Sequence, residues 1–549
     1  MISWALHCAT GGSKPFAAGR VYDRFAAVVL VGVGVIALFS FRDYGLSWDD
    51  YTHAQYGELL LQFYASGLHD QRALSWVNLY YYGGGFDLMA AAAAKALPFT
   101  LFETRRLAGA AVGILGLFVT WRIGRRIGGP IAGLLALILL AACPVYYGHM
   151  FMNPKDAPFA VAMAILLWAS IRVIEEYPRP SLASVLLLGL GLGLAFGSRI
   201  MGAFGAIEAL AALILVFAAE ARAQGLASAG SRLLQFCGRL FPALVLGYAL
   251  MGLAWPWGVA DPLNPFRALE YFSRFFEKPW SELFDGEVIR VTDMPRSYLP
   301  TLFALKLPEI FLALGLVGAA WAIWMTCKPA VAPRRRAILL LLALAALLPG
   351  AVTILLRPAM YNGIRHFVFV LPPLAVLGGM AGARIIETVR VISFGPIGVA
   401  AVVAIGLVFP VIEMTRLHPY EYTYFNDASG GVKHARDRYM LDYWGLSLKQ
   451  ASQGLRQVLA SARVDKPAER PWKIAVCGPH RSPQVELGPD FQTGWDPHGA
   501  DFAMTLGEFY CMQFDAPLIV EVARSDVSYA RVYDIRGRSY DTILTVPGL

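Results

Sequence analysis

At 549 residues, with 57% hydrophobic and only 16% charged side chains, the chain is too apolar for an ordinary water-soluble protein, where about 25% charged is usual. Its mean hydropathy is +0.52. The formal charge of +8 comes without any basic run interleaved with stacking aromatics, which argues against nucleic acid as a partner; arginine placed in cytoplasmic loops accounts for it more economically.

The first apolar run, Phe25 to Ser40, is preceded by Arg20 and Arg24 and followed by no small-residue cleavage site, so it reads as a retained anchor with a cytoplasmic N-terminus. A few residues beyond it stands the acidic pair Asp49-Asp50, in the stretch SWDDYTH from Ser47 to His53. Tyr51 to Tyr64 is spaced as a surface helix with the pair at its N-terminal end. Tyr80 to Leu97 is apolar, but it carries Asp87, Lys95 and the triplet Gly83–Gly85. It reads as a helix at the outer surface or dipping in without crossing.

Further apolar stretches run Leu107–Trp121, Ile131–Tyr147, Ala157–Val173, Leu182–Gly197, Ala203–Phe217 and Leu240–Trp257. After a long loop follow Leu302–Trp324, Ala337–Leu356, Phe367–Ala383 and Gly395–Ile412. With the anchor this gives about 11 spans at the length a bilayer requires. Alternate connections hold Arg122, Arg125 and Arg126; Arg179; Arg222 and Arg232; Lys328 with Arg334 to Arg336; and Arg384 with Arg390. All of these become cytoplasmic if the N-terminus is.

The predicted fold is therefore a polytopic α-helical membrane domain over residues 1–412, with outer loops at 42–106 and 258–301. Residues 413–549 form a small extracytoplasmic α/β domain. Within it Leu446–Ala462 patterns as an amphipathic helix, and Lys473–Cys477, Asp501–Thr505, Pro517–Val522 and Ala530–Asp534 as strands. Cys477 and Cys511 fall in this polar region, where an oxidising compartment permits a disulfide. Cys8, Cys143, Cys237 and Cys327 lie in or beside apolar segments and read as small core residues.

On this topology the informative polar residues share one side: Asp49-Asp50, the NPKD segment from Asn153 to Asp156, Arg199, Arg357, and Arg365 with His366. Each has a plainer reading. Acidic residues at a helix start cap it and complement its dipole, and NPKD suits a loop ending in a helix N-cap. Lys155, Arg365 and His366 could anchor among headgroups. Glu208, a carboxylate inside the sixth apolar run, is either a functional group or the partner of Arg199 across the bundle. Gly189, Gly193 and Gly197 are spaced for close helix packing.

Four segments together carry a resemblance: SWDDYTH, HMFMNPKDAPFA (His149–Ala160), YNGIRHFVFVLPPLA (Tyr361–Ala375) and HPYEYTYFN (His418–Asn426), extended by YMLDYWGLS (Tyr439–Ser447). In order, spacing and common side they resemble bacterial membrane glycosyltransferases of the GT-C class, relatives of dolichyl-phosphate-mannose protein mannosyltransferases and lipid A aminoarabinose transferases. The resemblance implies transfer of a sugar from a polyprenyl-phosphate donor to an acceptor hydroxyl of a glycan, lipid or protein, at the outer face of the bacterial inner membrane.

By the same resemblance the acidic motif of the first outer loop maps onto Asp49 and Asp50, with Asp where Glu is commoner at the second position. The acidic residue before the fourth span maps onto Asp156. A general base suits Asp49, with Asp50 orienting it or the acceptor. Lys155, Arg199 and Arg365, with His366 behind them, are the cations for the departing phosphate. GT-C relatives divide into those that use a metal and those that do not, so a divalent ion between Asp49 and Asp156 is a second arrangement. The alternative function, a transporter or flippase for a lipid-linked sugar, would set ionisable residues along a path through the membrane. Apart from Glu208 the spans are nearly uncharged.

Overall fold

The computed structural model describes residues 15–273, 279–546 and 548, with side chains from Gly19 onward. Cys8 and residues 274–278 of the long outer loop lie outside the described residues. Among those described, nine helices are long and apolar enough to cross a membrane, and Leu182–Phe196 is a shorter apolar helix. The chain is a polytopic membrane protein with a small C-terminal sheet domain.

The helices of the first half are α1 (Pro15–Ser40), α2 (Asp50–Ala65), α3 (Gly85–Ala96), α4 (Leu101–Ala141), α5 (Pro144–Met152), α6 (Asp156–Glu175), α7 (Leu182–Phe196), α8 (Ala203–Gln224) and α9 (Leu226–Ala254). The longest, α4, is a hairpin of two helices. Gly129 has a left-handed φ of 87° and Pro130 follows it, so the chain reverses there. Closeness across the turn proves the reversal. A Cβ on Gly124 would sit 3.1 Å from the Gly133 Cα, and one on Gly109 would sit 2.4 Å from the Met150 carbonyl oxygen. Both spans expected between Leu107 and Tyr147 thus lie within α4 and α5, interrupted at Cys143 before Pro144. The span expected over Leu302–Trp324 is likewise broken, into Tyr298–Lys306 and Glu309–Thr326, because Pro308 cannot continue the first helix.

The arginine-rich turns gather at one end of the bundle. Arg125 pairs with Asp23 at 2.5 Å, Arg126 with Glu175 at 2.5 Å, and Arg334 donates to the Glu175 carbonyl at 3.3 Å. At the other end of α6 stands Asp156. A helix of 20 residues is about 30 Å long, so α6 alone separates the two ends by the hydrocarbon thickness of a bilayer. Helix α6 is buried nearly all round, and α7 packs on it and on α9. Gly193 makes the second contact possible: a Cβ there would lie 2.5 Å from the Leu250 Cβ.

Helix α3 has 12 residues, about 18 Å, and lies against α2 without the length to cross. In the later outer loop, strands β1 (Ser281–Phe284) and β2 (Glu287–Arg290) form a hairpin that the sequence pattern did not reveal.

In the C-terminal domain the strands are β3 (Trp472–Cys477), β4 (Phe491–Gly494), β5 (Phe502–Leu506), β6 (Gln513–Phe514), β7 (Leu518–Arg524), β8 (Val527–Asp534) and β9 (Leu544–Val546). Five form a sheet in the order β4-β3-β5-β8-β7, parallel across β4, β3 and β5 and antiparallel beyond; β6 and β9 pair separately. The amphipathic helix is Leu448–Ser461, packed on β7 and β8. Cys477 and Cys511 are joined in a disulfide. Of the cysteines expected in the core, Cys143 is buried, whereas Cys237 and Cys327 are exposed on the outside of the helical bundle.

The two parts are not separate beads. One hydrophobic core runs from α1 through to β8. The segment His418–Asn426 threads between them: Tyr44 donates to Glu421 at 3.0 Å, and the Gly148 backbone lies directly against that of Tyr422.

Candidate active site

The chain turns into α2 at the acidic pair, and the two aspartates part company there. Asp50 is fully buried and locked by Arg106, whose Nη1 and Nη2 donate at 2.8 and 2.5 Å, and by the Ser47 backbone N–H at 2.7 Å. Burial works to raise its carboxyl, but the Arg106 charge wins and holds it below the usual carboxylate range. Asp49, at the N-cap position, makes no capping bond. Its side chain turns instead to Lys155 at 3.3 Å and Arg365 at 3.9 Å, with 29% of its surface open to solvent. Burial again opposes ionisation, and Lys155 and Arg365 outweigh it, holding the group down to about 2.

The NPKD segment supplies the second half. Asn153 accepts from the backbone N–H groups of Lys155 at 3.1 Å and Asp156 at 2.7 Å and so fixes the turn into α6, whose N-cap residue, Lys155, makes no side-chain capping bond. The same turn aims Lys155 at Asp49 and buries Asp156. The Asp156 carboxylate receives Arg199 at 2.5 Å, Arg365 at 3.4 Å and the Asn153 side-chain N–H at 2.9 Å. His149 is buried and neutral at its back: desolvation and the Arg365 charge hold its imidazole down to about 3, and its Nδ1 accepts from Asn153 at 3.1 Å.

The result is one cluster of three cations, Lys155, Arg199 and Arg365, around two carboxylates, Asp49 and Asp156. Arg365 touches both carboxylates. A net positive charge is left over, in a pocket whose only half-open acid is Asp49. His366 stands behind, its ring edge-on to Tyr361 at 4.7 Å. Arg357, counted among the outward cations, donates instead to the carbonyls of Met294 and Asp293. Glu208 does not pair with Arg199, because Asp156 takes that guanidinium. It lies buried within the bundle with one carboxylate oxygen lacking a hydrogen bond.

Further members of the site were not singled out as candidates in the sequence. Tyr82 lies under the cations, its ring 5.1 Å from the Lys155 ammonium and 5.6 Å from the Arg199 guanidinium. Burial pushes its hydroxyl up to about 12, so it stays neutral. Trp444, within the YMLDYWGLS segment, and Tyr361 place their rings 5.0 and 4.9 Å from the Arg365 guanidinium. Below the site, Asp87 is buried between Arg105 and His53, each at 2.6 Å.

A divalent ion between Asp49 and Asp156 fits this donor set poorly. Both carboxylates are already engaged by cations, with the Arg365 guanidinium reaching each, and no group of three or more His, Cys, Asp or Glu side chains is placed to hold a metal among the described residues.

The described residues form a multi-pass helical bundle with juxtamembrane helices, an acid–cation cluster at one end and an appended α/β domain, a GT-C-like fold shared with a solved oligosaccharyltransferase. Residues 90–230, about a quarter of the chain, match the family described as dolichyl-phosphate-mannose-protein mannosyltransferase. The oligosaccharyltransferase of Archaeoglobus fulgidus in its apo form is similar in structure, with a TM-score of 0.50 at 12% identity over 87% of this chain and 65% of that one. ArnT from Cupriavidus metallidurans in the apo state gives 0.49 at 15% identity, covering 94% of this chain and 98% of that one. The same protein bound to undecaprenyl phosphate gives 0.45 at 17%, covering 92% and 97%. No curated protein sequence matches.

Proposed function

We propose that this protein transfers a sugar from a polyprenyl-phosphate donor to an acceptor hydroxyl, at the periplasmic face of the bacterial inner membrane, with its N-terminus in the cytoplasm. The observation that carries the reading is the convergence of Lys155, Arg199 and Arg365 on Asp49 and Asp156 at one end of the bundle. The match of residues 90–230 to a family that uses dolichyl-phosphate mannose supports the donor class.

The donor phosphodiester sits against Lys155, Arg199 and Arg365, with the polyprenyl tail in the bilayer and the sugar toward Asp49. The acceptor oxygen attacks C1 as Asp49 takes its proton. The bond from C1 to the phosphate oxygen breaks with its electron pair going to polyprenyl phosphate, whose growing charge the three cations absorb. One base and no second nucleophile give inversion at C1. Asp156, ion-paired with Arg199 and Arg365 and hydrogen-bonded by Asn153, is the anchor that holds both guanidinium groups in place.

Paired as it stands, Asp49 is a weak base. A phosphate arriving at Lys155 and Arg365 competes for the same cations, and loosening that pairing raises the proton affinity of Asp49. Donor binding therefore switches the base on.

The test uses purified protein in lipid, radiolabelled polyprenyl-phosphate sugars and a crude membrane acceptor extract. Wild type should transfer label, and Asp49→Asn, inserted equally well, should lose at least about a hundredfold. Equal activity in the variant would remove Asp49 as base. Uptake of label into sealed vesicles without a new glycosidic bond would favour transport instead.

A further inference from the structure

The turn that delivers Arg365 to the cluster is held in shape from another part of the chain. Asn362 and Gly363 both adopt left-handed backbone, with φ of 55° and 68°. Glycine takes this conformation freely and asparagine tolerates it better than most residues. The turn leaves the backbone N–H groups of both residues in need of acceptors. A buried carboxylate meets the first. Glu282, on β1 of the outer hairpin, accepts from the Asn362 N–H through both oxygens, at 2.7 and 2.9 Å. The Tyr298 hydroxyl accepts from the Gly363 N–H at 3.0 Å and leans toward Glu282 at 3.5 Å. The hairpin is itself tied to the same turn, since the Met360 N–H donates to the Val291 carbonyl at 3.1 Å.

Neither Glu282 nor Tyr298 has a hydrogen bond or ion pair to Asp49, Lys155, Asp156 or Arg199. Glu282 reaches the Asn362 N–H and Tyr298 the Gly363 N–H, three and two residues before Arg365, and the Arg365 charge also acts on the Glu282 carboxylate. The Arg365 side chain must then reach two carboxylates from different segments and lie beside the rings of Tyr361 and Trp444. A rotation of the turn would carry the guanidinium away from these partners. Resting on the donor site described under Proposed function, we propose that Glu282 is a positioning residue, which fixes the Asn362–Gly363 turn so that Arg365 meets the donor phosphate.

A double-mutant cycle tests this, with undecaprenyl phosphate in nanodiscs as the probe and its Kd as the readout. Glu282→Ala should weaken binding by about tenfold, and Glu282→Gln, which keeps an acceptor for Asn362, should return to within about threefold of wild type. In an Arg365→Ala background, Glu282→Ala should add nothing, because its effect travels through Arg365. Multiplicative losses in the double variant, or wild-type binding by Glu282→Ala, would overturn the proposal. If Glu282→Ala fails to insert, Tyr298→Phe is read in the same cycle with the same expectation. Absence of binding by wild type would sink the donor reading and this inference with it. Binding by wild type that Glu282→Ala leaves intact sinks this inference alone.

Discussion

Arg106 closes on both oxygens of Asp50, at 2.8 and 2.5 Å, whereas the neighbouring Asp49 turns to Lys155 at 3.3 Å. Two carboxylates that look interchangeable in the sequence have different environments: one sealed in a buried ion pair, the other paired but partly open to solvent.

The first prediction follows from that pairing. Asp50→Asn should cost stability, since breaking one partner from a buried ion pair typically costs about 3–5 kcal/mol. Asp49→Asn, at a site partly open to solvent, should cost less stability than Asp50→Asn while abolishing transfer. Thermal unfolding in detergent, measured beside activity, separates them. A stable, inactive Asp50→Asn would reverse the assignment.

The second concerns pH. Burial opposes ionisation of Asp49, but Lys155 and Arg365 hold it down to about 2, below its unfolded value of about 3.9. A depressed carboxyl contributes stability that is complete above about pH 4 and drains away as pH falls toward 2. In catalysis, kcat/KM reports the free enzyme and should be flat down to the acid limit of folding. The kcat profile reports the donor complex, where phosphate shares the cations, and should show an acid limb at higher pH. Coincident limbs would mean that donor binding leaves Asp49 unchanged.

Metal dependence gives a third. Because Arg365 reaches both Asp49 and Asp156 and supplies the positive charge there, prolonged dialysis against a chelator should leave transfer intact. Abolition by chelation, with recovery on adding Mg²⁺ or Mn²⁺, would show that the ion pairs rearrange to admit a metal.

A fourth tests the Arg365 geometry. Arg365→Lys keeps the charge but loses the planar fork that spans two carboxylates and lies near two aromatic rings. Donor KM should rise by about tenfold or more. A near-normal KM would mean that charge alone suffices at this position.

The last concerns the Cys477–Cys511 bond, which crosses 34 residues of the C-terminal domain. Its loss in Cys477→Ser should destabilise that domain by about 2–4 kcal/mol. Proteolysis of the membrane-inserted protein reads this directly: C-terminal fragments should be released faster from the variant. Equal protease resistance would show that the sheet holds without the bridge.

Much of the architecture was legible because it is written in local periodicity. The apolar runs, the surface helix after Asp49, the short α3 and four of the C-terminal strands each follow from the spacing of neighbouring side chains. Charge and length also placed a connection near Arg122–Arg126, and the chain reverses just beyond, at Gly129–Pro130. Where Pro144 and Pro308 break a run, the sequence contained the signal, but hydropathy alone reads through it.

Charge at the ends of apolar helices is costly enough to need a reason, and it marked Asp49, Asp50, Lys155, Asp156, Arg199, Arg365 and His366 as candidates in the sequence. Only the tertiary structure decided how they are paired. Arg106 reaches Asp50 across 56 residues, and Arg365 reaches Asp156 across 209. No local pattern encodes such pairings. They are set when helices far apart in sequence pack side by side, and a buried charge must take whichever opposite charge that packing brings within reach. Tyr82 and Glu282 were invisible for the same reason: an ordinary tyrosine and an ordinary glutamate until the fold placed one beneath the cations and the other beneath the turn that carries Arg365.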